Sequence, residues 1–162
     1  MKRITLLALS LATSTFFTSC SSDDKENNPS PSKSASELLM AKSWKLTAET
    51  EATGTAAPVN TYDDYESYEK DNIYKFQANN VFISEEGATR YSSSDPASTT
   101  GVWALYEGDK KVAYQAGFFG TGLLSSTQKG DIEELTDTKL VVKMTDASST
   151  PTIVTRQTFT AQ

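Results

Sequence analysis

Eight short stretches of alternating apolar and polar residues, rich in β-branched and aromatic side chains, follow one another at 44–49, 72–76, 81–85, 101–106, 110–115, 131–135, 139–144 and 153–160. Alternation with a period of two marks strands that bury one face. The breaks between them carry turn chemistry: Gln77-Ala78-Asn79-Asn80, Glu107-Gly108-Asp109 and Thr136-Asp137-Thr138 all contain residues that tolerate a positive φ or bond their own backbone. Strands joined so tightly pair antiparallel with their neighbours in sequence. There is no long amphipathic helix to cover a sheet. Residues 36–42 offer only a short helical turn, with Ser36 as its N-cap. About eight uncovered strands must stack as two sheets or close on themselves to protect their edges. The expectation is an all-β, up-and-down antiparallel barrel with a short N-terminal helix, whose interior is either filled by side chains or wide enough for one small ligand.

The residues ahead of the strands are of a different kind. Lys2 and Arg3 precede an almost wholly apolar run at 4–11, which declines over 12–19 into small hydroxylated residues broken by Phe16 and Phe17. That is the charge, core and cleavage region of a signal peptide. Its apolar core is too short for a permanent span, which needs about 20 apolar residues. Cys20 is the only cysteine of the chain, which rules out an intramolecular disulfide and a multi-thiolate metal site. The segment Phe17-Thr18-Ser19-Cys20 resembles the lipobox of bacterial lipoproteins. That resemblance implies diacylation of Cys20 and cleavage before it, so that acyl chains on Cys20 hold the protein to a membrane. A plain secretory signal with an incidental cysteine is the alternative.

Residues 20–35 are polar, with Pro29 and Pro31, the composition of a flexible tether. Their start, Ser21-Ser22-Asp23-Asp24, is similar to the export signal after the cysteine of Bacteroidetes lipoproteins, which implies an outer-membrane lipoprotein carried to the cell surface. A solvated linker accounts for the same residues. The expected organisation is a signal peptide at 1–19, a lipidated tether at 20–35 and a barrel domain at 36–162.

The formal net charge is −6, and removal of a signal peptide carrying Lys2 and Arg3 makes it more negative. An acidic chain lacks the cationic face that nucleic acid requires. The chain has no histidine, so Ser-His-Asp or Cys-His catalysis and His-ligated zinc are excluded. Of the carboxylate pairs, Glu85 with Glu86 and Glu133 with Glu134 are adjacent on strands. Neighbours on a strand point to opposite faces, so neither pair is expected to flank one bond as a glycosidase pair would. No catalytic residue and no cofactor is expected.

The segment Glu37-Leu38-Leu39-Met40-Ala41-Lys42-Ser43-Trp44-Lys45-Leu46 resembles the opening of lipocalin-like domains in small Bacteroidetes-type lipoproteins. Three later pieces agree with it: Tyr74-Lys75-Phe76 leading to Asn80-Val81-Phe82, then Thr100-Gly101-Val102-Trp103-Ala104-Leu105, and finally the run from Ile132 through Leu140 to Val142. The resemblance implies a lipocalin- or calycin-like barrel, closed at one end and open at the other. It also implies that Trp44 plugs the closed end, a structural role rather than a ligand contact. Arg156, on the last strand, is expected to lie across the Trp44 ring as a cation–π partner.

Two segments stand apart from the strand pattern. At 62–72, Tyr62, Tyr65 and Tyr68 recur every third residue among five carboxylates. Hard oxygen ligands suit calcium, but the EF-hand spacing and its glycine are missing. The other readings are a loop or short helix packing the three tyrosines over the barrel mouth, or a partner-binding lid. At 116–124, glycines mix with Phe118, Phe119, Leu123 and Leu124. Without a following Lys-Ser or Lys-Thr this is no phosphate loop; those side chains are either core or the apolar wall of a pocket. Two functions remain open: a binding module for a small apolar or amphipathic ligand, and an interaction protein of the cell envelope with a filled barrel.

Overall fold

A six-residue helix, α1 (Ala35–Met40), leads into the first strand of the structure, a computed structural model that describes residues 32–116 and 128–162. The helix is capped by Ser34 rather than Ser36. Glu37 falls at the third helical position from Ser34, so the Ser34 hydroxyl accepts from the Glu37 N–H while the Glu37 carboxylate accepts from the Ser34 N–H. This reciprocal box satisfies two donors that a helix start leaves open, and it draws the Glu37 carboxyl below its usual pKa. The helix belongs to a compact unit, Lys33–Gln162.

Nine strands follow: β1 (Ser43–Thr53), β2 (Val59–Asn60), β3 (Ile73–Gln77), β4 (Val81–Glu85), β5 (Ser98–Tyr106), β6 (Lys111–Ala116), β7 (Gln128–Leu135), β8 (Lys139–Asp146) and β9 (Ile153–Ala161). From β3 to β9 each is antiparallel to the next, and β1 pairs with both β3 and β9. Eight strands therefore close into an up-and-down barrel, with the two-residue β2 added on the β1 edge at Thr50 and Glu51. All eight expected strands are present. The turns behave as their residues demand: Asn79, Asn80, Glu107, Gly108 and Asp109 all have positive φ, and the Thr136 hydroxyl accepts from the Thr138 and Lys139 N–H groups.

The short turns at 78–80, 107–110 and 136–138 lie at one end, where α1 packs against β3 and β7. That end is closed. Trp44 is fully buried there, with its indole Nε1–H donating to the Leu39 carbonyl at 2.9 Å. Phe76, Phe82, Trp103, Tyr114 and Phe159 continue the core, together with Val112, Leu140 and Val142. The rings of Phe76, Phe82, Trp103 and Tyr114 meet edge-on or tilted at 5.1–5.9 Å between centroids, the arrangement aromatic quadrupoles favour.

One glycine fixes how closely β5 and β6 approach. A Cβ built on Gly101 would lie 1.6 Å from the Gln115 carbonyl oxygen. Gly101→Ala is therefore expected to push the two strands apart and cost about 1–3 kcal/mol, seen as a lower urea midpoint at unchanged slope.

Two expectations about side-chain placement fail. Arg156 does not reach Trp44: it is opposite Thr50 and Lys143 in the sheet, whereas Trp44 is opposite Ala161. Its Nε instead donates to the Glu133 carboxylate at 2.9 Å on the outer surface. Glu133 and Glu134 do not point to opposite faces either. The register slips between Ile132 and Glu134, a β-bulge that leaves both carboxylates outside, Glu133 on Arg156 and Lys143 and Glu134 on Lys139. A bulge inserts one unpaired residue and so resets the alternation.

Candidate functional site

A second bulge shapes the barrel interior. Along β1 the register shifts between Leu46 and Ala48, and Thr47 and Ala48 are both exposed. Strict alternation from Trp44 and Leu46 would turn Glu49 outward. The extra residue reverses that, and Glu49 comes opposite Gln157 on β9, two residues from the inward-facing Phe159.

Beyond the bulge β1 loses β3 as a partner, since their ladder stops at Lys45↔Ile73. The segment that follows β2 takes over. The Tyr62 hydroxyl donates to the Leu46 carbonyl at 3.1 Å, and the Thr61 N–H donates to the Glu49 carbonyl at 3.0 Å. The segment thus sutures the exposed side of β1 and brings Thr61 and Tyr65 against the Glu49 side chain.

The Glu49 carboxylate is the centre of a hydrogen-bonded chain. It accepts from the Thr61 hydroxyl at 3.0 Å on Oε1, and from the Tyr65 hydroxyl at 2.9 Å and the Gln157 amide at 2.8 Å on Oε2. The Gln157 Oε1 in turn accepts from the Tyr114 hydroxyl at 2.9 Å. Burial first, and then the bond to Glu49, push the Tyr65 phenol well above its ordinary pKa. Burial does the same for Tyr114. Both phenols stay protonated at neutral pH, and both protons are committed within the chain of bonds.

This network borders a hollow of about 220 Å³ in the half of the barrel away from α1. Its walls are aromatic, with Tyr65, Tyr74, Phe82, Tyr114 and Phe159, completed by Leu46 and Ala116. Gln157 faces it from below the mouth, and Gln115 and Gln128 line it with partners of their own. At about 30 Å³ per water in the liquid, the volume equals about seven water molecules. It suits a small molecule, or one end of a larger one.

Of the three tyrosines expected over the mouth, one, Tyr65, lines the hollow. Tyr62 and Tyr65 pack on the core with ring centroids 5.8 Å apart. Neither Tyr62 nor Tyr68 lines the hollow; Tyr68 meets the exposed Tyr91 edge-on at 5.4 Å. A three-residue spacing aligns side chains only on one continuous helix. Here Tyr62–Asp64 is a 3₁₀ turn, Tyr65 is extended, and Tyr68 belongs to a separate four-residue helix, α2 (Ser67–Lys70).

Four of the five carboxylates of this segment make local hydrogen bonds. Asp63 accepts from Asn60, Glu66 and Glu69 cap α2, and Asp71 accepts twice from Thr89. Among the described residues, no three His, Cys, Asp or Glu side chains group closely enough to hold a metal ion. Phe118, Phe119, Leu123 and Leu124, and Cys20 with its neighbours, lie outside the described residues.

The residues that make the site, Glu49, Tyr74, Tyr114 and Gln157, were not singled out from sequence. Gln157 was within reach, because it shares the parity of Phe159 along β9. Glu49 was not, because only the bulge turns it inward. No protein-family model matches the sequence, and no curated protein matches it.

Proposed function

We propose that the chain is a membrane-anchored, lipocalin-like binding protein that takes a small amphipathic ligand into its barrel without chemistry. The observation that supports this best is the 220 Å³ hollow beneath Tyr65, apolar on most of its wall and polar along one side. Ligand pockets are largely apolar with a few fixed polar groups, and this one has that composition. No catalysis is assigned to it. The chain has no histidine, and the network's carboxylate, amide and phenols are bonded to one another.

The address proposed for it is the outer membrane, at the cell surface of a Bacteroidetes-type bacterium, through acyl chains on Cys20, palmitate among them. Its support is the signal-peptide pattern, the lone cysteine and the acidic residues that follow it. No helix among the described residues is long and apolar enough to cross a membrane.

The second reading, an envelope interaction protein with a filled barrel, is favoured by the size of the hollow, which falls below the roughly 300–1,000 Å³ of pockets for drug-sized ligands. Filling the space separates the two. Leu46→Phe adds volume to a side chain that is 3% exposed and lines the hollow. Saturation-transfer NMR against a panel of small amphipathic molecules is expected to detect saturable binding by the native protein, weakened at least about tenfold in the variant, with the melting temperature retained. Binding of none of the panel, or equal binding by the filled variant, rejects the carrier.

A further inference from the structure

The chemistry of the hollow's wall narrows the ligand class, given the binding role proposed above. Five aromatic rings, Tyr65, Tyr74, Phe82, Tyr114 and Phe159, surround a space the size of a small organic group. Four of them touch in series: Tyr114 to Phe82 at 5.1 Å, Phe82 to Tyr74 at 6.1 Å and Tyr74 to Phe159 at 5.8 Å between centroids. Ring faces carry negative quadrupole density and attract a cation that has shed its water.

Behind the rings stands one carboxylate, Glu49, and none of the ion pairs among the described residues includes it. Lys70 is the one cation of the segment at 59–72, and its ammonium is turned to the Asp63 carbonyl and the face of Tyr62. The phenol protons of Tyr65 and Tyr114 are already donated, to Glu49 and to Gln157. The oxygens of those two phenols therefore have lone pairs to offer a ligand. A phenol that donates to a carboxylate also holds more electron density in its ring. On its outer side Tyr65 borders an open depression with Thr61, Asp64 and Glu69, whose two carboxylates carry the same negative sign, which concentrates cations and repels anions.

We infer that the hollow is an aromatic cage for a small organic ammonium ion bearing a short apolar group, and that it discriminates against carboxylates such as short fatty acids. Tyr74, Tyr114 and the other rings supply the cation–π surface. Glu49, through Tyr65 and Gln157, supplies the compensating charge.

Three probes of one shape test it on the full chain by titration calorimetry: choline, neohexyl alcohol, in which carbon replaces the charged nitrogen, and tert-butylacetate, the corresponding anion. Choline is expected to bind at least about tenfold more tightly than the alcohol, with the anion weakest. Glu49→Gln is expected to erase most of that preference while leaving the alcohol's affinity within about threefold. Tyr74→Leu, which leaves the Glu49 network intact, is expected to weaken choline by about tenfold and the alcohol by less. Thermal melting of each variant shows that it is folded. If the native protein binds the alcohol or the anion as well as choline, the cage is refuted and the carrier stands. If a folded Glu49→Gln and a folded Tyr74→Leu both keep the full preference, the cage is refuted as well. Binding of none of the three probes refutes the cage.

Discussion

Cys20→Ala is expected to move the protein from the membrane fraction to the soluble exported fraction almost completely. Each acyl methylene buried in a bilayer contributes about 0.8 kcal/mol, and one chain alone gives only marginal, reversible attachment, whereas two or more hold a soluble domain for long times. The serine-rich, proline-containing sequence that follows has no apolar run to replace them. The native protein should carry the mass of a cleaved N-terminus with acyl groups on Cys20. A free thiol at that position, or a Cys20→Ala protein that stays with the membrane, rejects the anchor. The barrel itself should be untouched, so the melting temperature of detergent-extracted native protein and of the released variant should agree.

The second large effect concerns the closed end. Trp44 is 0% exposed and its indole N–H satisfies the Leu39 carbonyl at the end of α1. Trp44→Ala removes the largest fully buried side chain described and leaves that carbonyl without its donor, an expected cost of about 3–5 kcal/mol. For a domain of this size each kcal/mol is worth a few degrees, so the melting temperature should fall by about 10 °C or more. Arg156→Ala is the matched control. Had the guanidinium lain across the indole, its loss would weaken the same end of the barrel. Its actual partner is Glu133 in a half-exposed outer pair, and such pairs contribute about 0–1 kcal/mol. A drop after Arg156→Ala comparable with that of Trp44→Ala would contradict this division of roles.

These two side chains also mark where the sequence was informative and where it was silent. The place of Trp44 was legible through the resemblance of its segment to the opening of lipocalin-like domains, which implies a tryptophan at the closed end. Arg156 was misjudged because being on the last strand does not say how far along the strand a side chain lies, and only the register between β1 and β9 does. The eight strands and their turns were readable from local chemistry, since asparagine, glycine and aspartate at the breaks meet a backbone need that few other residues meet. β2 was not, because two residues cannot display a period.

The bulges explain most of the remainder. Ile132-Glu133-Glu134-Leu135 hints at one, because two apolar residues three apart around two carboxylates break the alternation. Trp44 to Glu49 gives no such sign: Thr47 and Ala48 are small enough for either face. The charge at the heart of the candidate site thus depends on one inserted residue whose effect lies in pairing rather than in composition. The tyrosine segment was partly legible, with Tyr65 on the hollow, Tyr62 against the β1 edge, and Tyr68 carried away by a helix start at Glu66 that the spacing alone did not reveal.

The longest ladder in the barrel joins its first strand to its last, from Trp44 against Ala161 to Thr53 against Ile153. Pairing across so much intervening chain is entropically slow to form. If the chain is exported N-terminus first, as proposed, β1 would have only β2, the segment at 61–65 and its short contact to β3 as partners until β9 had also emerged. Under the proposed export, the seam between β1 and β9 would be completed only after both strands had crossed, so closure of the barrel would belong to the far side.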